Sequence, residues 1–136
     1  ELWVHTDIGG IARYSDDPYH RVVHGQDQKV PGNPWAICTL WYAKWLIARA
    51  RTLKSLEEAV PYLRWCRDRA LPSGILAEQF DPRDGRSLSV SPLTWSHATV
   101  LSTWINFLNK RRELRSLADV GSVNPAHSSD SAVSID

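Results

Sequence analysis

"GNPWAICTLWYAKWLIARAR", residues 32–51, is the stretch whose reading decides the fold. Apolar side chains recur through it at three- and four-residue steps (Ile37, Leu40, Trp41, Trp45 and Ala48), the spacing of a helix with one face turned inward. Asn33 suits the N-cap. Pro34 suits the first helical position, because a proline there gives up only an N–H that has no partner inside the helix. Arg49 and Arg51 close the last turn, where cations complement the helix dipole. The stretch reads as a helix from Trp35 to about Arg51.

Downstream, Ser55 and Glu58 form an S-x-x-E capping box, so a second helix is expected to run to about Leu71. Leu56, Val60, Leu63, Trp65 and Cys66 point mostly inward in it, and Pro61 should kink or delay it. Pro72-Ser73-Gly74 ends it. Ser91 and Pro92 read as the N-cap and first residue of a third helix, 92–112, with Leu93, Val100, Leu101, Trp104, Ile105 and Leu108 as its inner stripe. The charge run "KRRELR" (110–115) is its solvated end. Upstream, residues 1–34 read as loop, interrupted by Gly9, Gly10, Pro18, Gly25, Pro31, Gly32 and Pro34. A connection that long is uncommon in a compact domain unless it is functional. Residues 73–91 form a second long loop. No strand pattern stands out, and the fold class is all-α. Residues 1–118 form the structured part, and the small, polar segment 119–136 is expected to be a disordered tail.

The 136 residues amount to one domain, and 16 basic side chains against 15 acidic ones leave no long-range field to draw nucleic acid or an anionic membrane. No apolar run reaches membrane-spanning length. Cys38 and Cys66 are too few for a disulfide framework and read as buried, reduced thiols, which leans toward the cytoplasm. His20 and His24, four residues apart, would be half a zinc site on a helix. Their segment is turn-rich and offers no third ligand, so neither metal nor cofactor is expected. The sequence begins "ELWVHTDIGG" and has no methionine anywhere, and it reads as the interior of a longer protein.

The chemistry-bearing residues sit in the loops. "GGIARYSDDPY" (9–19) offers Arg13, Asp16, Asp17 and Tyr19, and "GNPW" offers Trp35 at the mouth of a helix. "AEQFDPRDGRSLSVSPLTW" (77–95) offers Glu78, Gln79, Ser89 and Trp95. Glu78 follows Gly74-Ile75-Leu76-Ala77, where burial is expected, and a buried carboxylate is costly unless it is paired, hydrogen-bonded or used. Arginine donors, carboxylate acceptors and flat aromatic faces together suit an uncharged polyhydroxylated ligand. Singly, each has a plainer reading. Asp17 can be an ion-pair partner of Arg13, Trp35 and Trp95 core anchors, and Glu78 a salt-bridge residue.

Taken jointly, "RYSDDPY" (13–19), "GNPWAICTLW" (32–41), "AEQFDPRDG" (77–85) and the following "LTWS" (93–96) resemble the catalytic domain of glucoamylases, family fifteen of the glycoside hydrolases, over about residues 9–110, nearer its prokaryotic branch. The resemblance implies that Glu78 is the general base for an attacking water, that Ser89 orients it and that Gln79 lines the water side. It likewise implies that Arg13 and Tyr19 hold sugar hydroxyls, that Trp35 and Trp95 are apolar walls, and that Asp17 braces Arg13 from behind. The implied activity is exo-acting, inverting release of glucose from the non-reducing ends of an α-glucan or malto-oligosaccharide. Trehalase or glucodextranase specificity, or a non-catalytic carbohydrate-binding or regulatory role on the same scaffold, are the alternatives. The segment "HRVVHGQDQKVP" (20–31) is longer than in the fungal pattern, and the family's general acid lies upstream, since neither Asp7 nor Asp16 sits in its motif. The chain would then supply about the last three helices of an (α/α)6 barrel and would be inactive alone. Its exposed apolar face would meet the rest of the barrel or another copy of itself.

Overall fold

The computed structural model describes residues 1–23 and 29–122. Four helices carry about half of the described residues, where the periodicity predicts three: α1 (Ala36–Arg49), α2 (Leu53–Glu57), α3 (Val60–Arg67) and α4 (Thr94–Ser122). The sequence reading did not anticipate a small antiparallel sheet in the order β1 (Ile11–Ala12), β2 (Pro34–Trp35), β3 (Gln79–Phe80), β4 (Ser87–Leu88). Each strand is two residues long, too short to show the alternation by which a strand is read from sequence. Ile11 faces Trp35, Trp35 faces Gln79 and Gln79 faces Leu88 across the ladder. The sheet therefore stitches the two long loops to the start of α1.

The helix boundaries moved for identifiable reasons. Trp35, not Asn33, is the N-cap of α1 and offers no side-chain cap. The N–H of Ala36 instead donates to the main-chain carbonyl of Glu78 at 3.2 Å, and Asn33 turns into the interior. Thr52, not Ser55, caps α2. Its hydroxyl accepts from the Ser55 N–H, and the Ser55 hydroxyl accepts from the Thr52 N–H, so serine takes the third-position role in a box one turn earlier. The expected single helix from Ser55 to Leu71 is divided into α2 and α3. Pro61 falls in the first turn of α3, where its missing N–H costs nothing, so the chain restarts a helix there rather than kinking one. Ser91 and Pro92 precede α4, which begins at Thr94 and passes the expected end at 112 to reach Ser122. Lys110 and Glu113 pair along that extension, Leu114 is buried, and good helix formers fill the run. The helix thus takes in the first residues of the expected tail, whose remainder, 123–136, lies outside the described residues.

The core is built where α1 packs on α3 and α4. Ala36, Leu40, Ala43, Leu46 and Ile47 of α1 meet Leu56, Leu63, Trp65 and Cys66, together with Leu76, Ala77, Phe80, Phe107 and Leu114. Each fully buried leucine there stabilises the fold by about 2 kcal/mol. The faces differ from expectation. Trp41, Trp45 and Ala48 are exposed, as are Leu101, Trp104, Ile105 and Leu108, the expected inner stripe of α4. In their place α4 turns a face of Ser96, Thr99, Thr103 and Phe107 inward. Small side chains let α4 lie close on α1, and their hydroxyls are satisfied locally: Thr99 donates to the Trp95 carbonyl, Thr103 to that of Thr99, and Ser96 to that of Ala77. Both cysteines are free thiols. Cys66 is buried and Cys38 half-buried, and desolvation pushes them up to about 12 and about 11. No helix among the described residues is long and apolar enough to cross a membrane.

Candidate active site

The β3–β4 hairpin carries the central carboxylate. Its turn, "DPRDG" (81–85), is locked by main-chain bonds from the Gly85 N–H to the Asp81 carbonyl (2.8 Å) and from the Asp81 N–H to the Arg86 carbonyl (2.9 Å). Gly85 adopts φ +75, a region that costs glycine nothing. The Asp81 carboxylate is completely buried. It accepts from the Arg83 N–H, Nε and Nη2 at 2.7–2.9 Å and meets Arg86 Nε at 3.3 Å. The Arg83 hydrogen bonds, outweighing the cost of burial, hold its carboxyl down at about 2.

Glu78 immediately precedes this hairpin. Its N–H donates to the Val90 carbonyl at 3.0 Å while its own carbonyl receives the Ala36 N–H, so its backbone is held from both sides. The side chain is half-buried rather than buried. Its Oε2 accepts a very short hydrogen bond from the Ser89 hydroxyl. Ser89 has φ +61, a left-handed conformation that a non-glycine residue enters at a cost. That geometry places its hydroxyl on the carboxylate and within 3.4 Å of the Tyr19 hydroxyl.

The second wall is the segment 13–19. Asp17 is almost fully buried and accepts from Arg13 Nε and Nη2, both at 2.9 Å, and from the Tyr19 N–H at 3.1 Å. Burial alone would raise the Asp17 carboxyl; the Arg13 and Tyr19 hydrogen bonds and the Arg13 charge overcome it and lower it. The Arg13 guanidinium is raised, chiefly by its hydrogen bond to Asp17. It lies 4.5 Å from the Trp35 ring centroid, 4.9 Å from that of Tyr14 and 5.4 Å from that of Tyr19. Clamped by a carboxylate and stacked among three rings, Arg13 is held in one orientation.

The third wall comes from the start of α4, which is tied to the strand before Glu78. The Leu93 N–H donates to the Leu76 carbonyl, the Ser96 hydroxyl to the Ala77 carbonyl, and the Leu76 N–H to His97 Nε2. Trp95 is 55% exposed there, its ring edge-on to the exposed Trp41 at 5.9 Å.

Glu78, Ser89, Tyr19, Arg13 and Trp35 therefore meet on one rim, and Trp95 stands on the helix anchored beside it. Two expected placements differ. Gln79 is fully buried, its Oε1 accepting from Asn33 Nδ2 at 2.8 Å, and so faces the interior rather than open water. Trp35 is also buried and supports Arg13 from beneath, the anchor reading left open by the sequence. Gln79 Nε2 and Trp35 Nε1 are buried donors with no partner among the described residues, a cost that an acceptor entering beside them would remove. Asn33, Tyr14 and Trp41 belong to the arrangement and were not anticipated. Asn33 joins the two long loops, donating to the His20 carbonyl and to Gln79 while accepting from the Val22 N–H. A hint was present in its neighbour Pro34, which favours extended backbone at position 33. Among the described residues no cluster of three metal-ligating side chains occurs, and His24 lies outside them.

The sequence profile described as "Glycosyl hydrolases family 15" matches residues 4–104 of the 136, a span that contains every residue of this rim. The chain belongs to glycosyl hydrolases family 15. A protein of Methanocaldococcus jannaschii described as an uncharacterized glycosyl hydrolase is similar to it, 29% identical over 103 residues. That alignment takes in 69% of this chain and 15% of the relative, so the family 15 chain spans a small part of that protein's length. No solved structure matches the chain significantly.

Proposed function

We propose that this chain is the base-bearing segment of an inverting glycoside hydrolase that releases glucose from the non-reducing ends of α-glucans or malto-oligosaccharides. The observation that carries the reading is the Ser89 hydroxyl seated on the Glu78 carboxylate, at the rim where Arg13 and Tyr19 converge. An inverting glycosidase needs an ionised carboxylate that takes a proton from water. It also needs a protonated carboxyl about 6.5–9.5 Å away for the leaving oxygen. In this reading Glu78 is the base, Ser89 holds it facing the water, and the general acid comes from residues outside this chain. Arg13 donates to sugar hydroxyl oxygens from Nη1, which has no hydrogen bond among the described residues. Trp95 and Trp41 offer the flat faces on which the C–H side of a sugar ring stacks.

The exposed apolar side chains support the (α/α)6 arrangement. Trp41 and Trp45 on α1 and Leu101, Trp104, Ile105 and Leu108 on α4 form more uncovered apolar surface than an isolated soluble domain ordinarily bears. In this reading they face the remaining helices of the barrel. The deciding experiment is Glu78→Gln in the full-length protein. Turnover of malto-oligosaccharides should fall by orders of magnitude with binding retained, and the wild type should release the β-anomer, as seen by polarimetry. Full activity in the variant ends the proposal.

A further inference from the structure

Ser89 has a single hydroxyl proton and two oxygen neighbours: the Glu78 carboxylate in very short contact, and the Tyr19 hydroxyl at 3.4 Å. An ionised acceptor takes the proton in preference to a neutral one, because charge-assisted hydrogen bonds are roughly twice as strong. The Ser89 oxygen is then left with lone pairs turned to its other neighbour, and the Tyr19 O–H is the group that can fill one. We propose that Tyr19 is a positioning residue for the base, the outer member of a relay in which Tyr19 donates to Ser89 and Ser89 donates to Glu78. This rests on the reading of Glu78 as the base.

Both ends of Tyr19 are prepared for this role. Its N–H is fixed on the buried Asp17 carboxylate at 3.1 Å, and its ring lies 6.2 Å from that of Trp35, with the Arg13 guanidinium over it. The Ser89 backbone is held in its left-handed conformation between the strand pairing of Leu88 and the main-chain bond of Val90 to Glu78, which keeps its side chain at the carboxylate. At 3.4 Å the outer link is long for an O–H···O bond, whose usual length is about 2.7–2.8 Å. Catalytic hydrogen bonds are often long before substrate binds and shorten in the complex. Asp17 ties Tyr19 to Arg13, so a sugar drawn onto Arg13 presses on the same segment that carries the tyrosine. The relay therefore couples occupation of the sugar site to the strength of the donor on the base. No proton leaves the relay, and its effect is polarisation of the Ser89 hydroxyl.

The sign of the effect follows from what the donor stabilises. A hydrogen bond to the ionised carboxylate favours ionisation, so a stronger Ser89 donor keeps Glu78 competent to lower pH. Removing the Tyr19 hydroxyl should move the acidic limb of the kcat/KM profile to higher pH.

The test is Tyr19→Phe in the full-length protein, with malto-oligosaccharide as substrate. Phenylalanine keeps the ring under Arg13 and removes the hydroxyl alone. The expected result is a loss of about three- to tenfold in kcat on the acidic side, the worth of one neutral hydrogen bond, with KM changed less than about twofold. Added to Ser89→Ala, the same substitution should have no further effect, since the relay is already cut. A rise in KM with an unmoved pH profile would make Tyr19 a sugar contact only and overturn the relay. So would full additivity in the double variant. If Glu78→Gln is inactive and Tyr19→Phe leaves the profile unchanged, the relay alone falls. If Glu78→Gln is fully active, the functional reading falls with it.

Discussion

Replacing Asp81 by asparagine tests how the proposed base Glu78 is held, because this carboxylate bonds to Arg83 and Arg86 and acts on Glu78 through the hairpin. Asp81 is fully buried, and its carboxyl is held down from 3.8 to about 2 by the Arg83 hydrogen bonds. That lowering is worth on the order of 1–2 kcal/mol in favour of the folded hairpin once the solvent exposure of both guanidiniums is allowed for. Because the folded-state value is depressed, that contribution is fully present above about pH 4 and fades as pH falls toward 2. Asparagine keeps an oxygen for the Arg83 N–H but loses the charge that both guanidiniums face. The readout is amide hydrogen exchange at Asp81, Gly85 and Glu78 in the full-length protein, since these N–H groups close the turn and the strand before it. At neutral pH their protection should drop by about tenfold or more in the variant, and the gap from wild type should narrow as pH approaches 2. Equal protection at neutral pH, or a gap of the same size at every pH, would refute the view that the ion pairs of the buried Asp81 carboxylate secure the hairpin.

Arg13→Ala in the full-length protein should raise KM and lower kcat together by tenfold or more, because a positioned sugar contributes to the transition state as well as to binding. Steady-state kinetics on malto-oligosaccharides separates this from a loss of thermal stability alone, which would reduce Arg13 to a structural partner of Asp17. The isolated 136-residue chain should elute larger than a monomer in size-exclusion chromatography, through Trp41, Trp45, Leu101, Trp104, Ile105 and Leu108. A clean monomer with cooperative unfolding would count against the barrel reading.

The helices were legible in the sequence, but the faces they bury were not. Periodicity in α4 announces an apolar stripe at Leu101, Trp104, Ile105 and Leu108, yet the helix covers its small hydroxyl face and leaves that stripe bare. The reason is that a face of small side chains whose hydroxyls are satisfied by nearby carbonyls can also be buried, and only the neighbouring elements decide which face is covered. Trp41 and Trp45 show the same ambiguity on α1. Glu78, Ser89, Arg13 and Asp17 could be read as a set because linked motifs fix their order and spacing, and the fold brings them to one rim. Gln79 could not be placed that way. Its partner Asn33 is 46 residues distant, and only the pairing of two-residue strands brings them together. Short strands leave almost no local trace, so whatever they assemble stays hidden until the chain is folded.

The main-chain bond from Ala36 to the carbonyl of residue 78 has an architectural corollary. A helix normally anchors its opening turn with a side chain that evolution can exchange freely; here the anchor is the peptide unit of the proposed proton acceptor. Widening or narrowing the groove by sliding that carboxylate would drag α1 and the buried packing beneath it along. Adjustments to substrate size in such a scaffold must therefore arise away from α1, as at Trp95 on α4, whose side chain stands free of the interior.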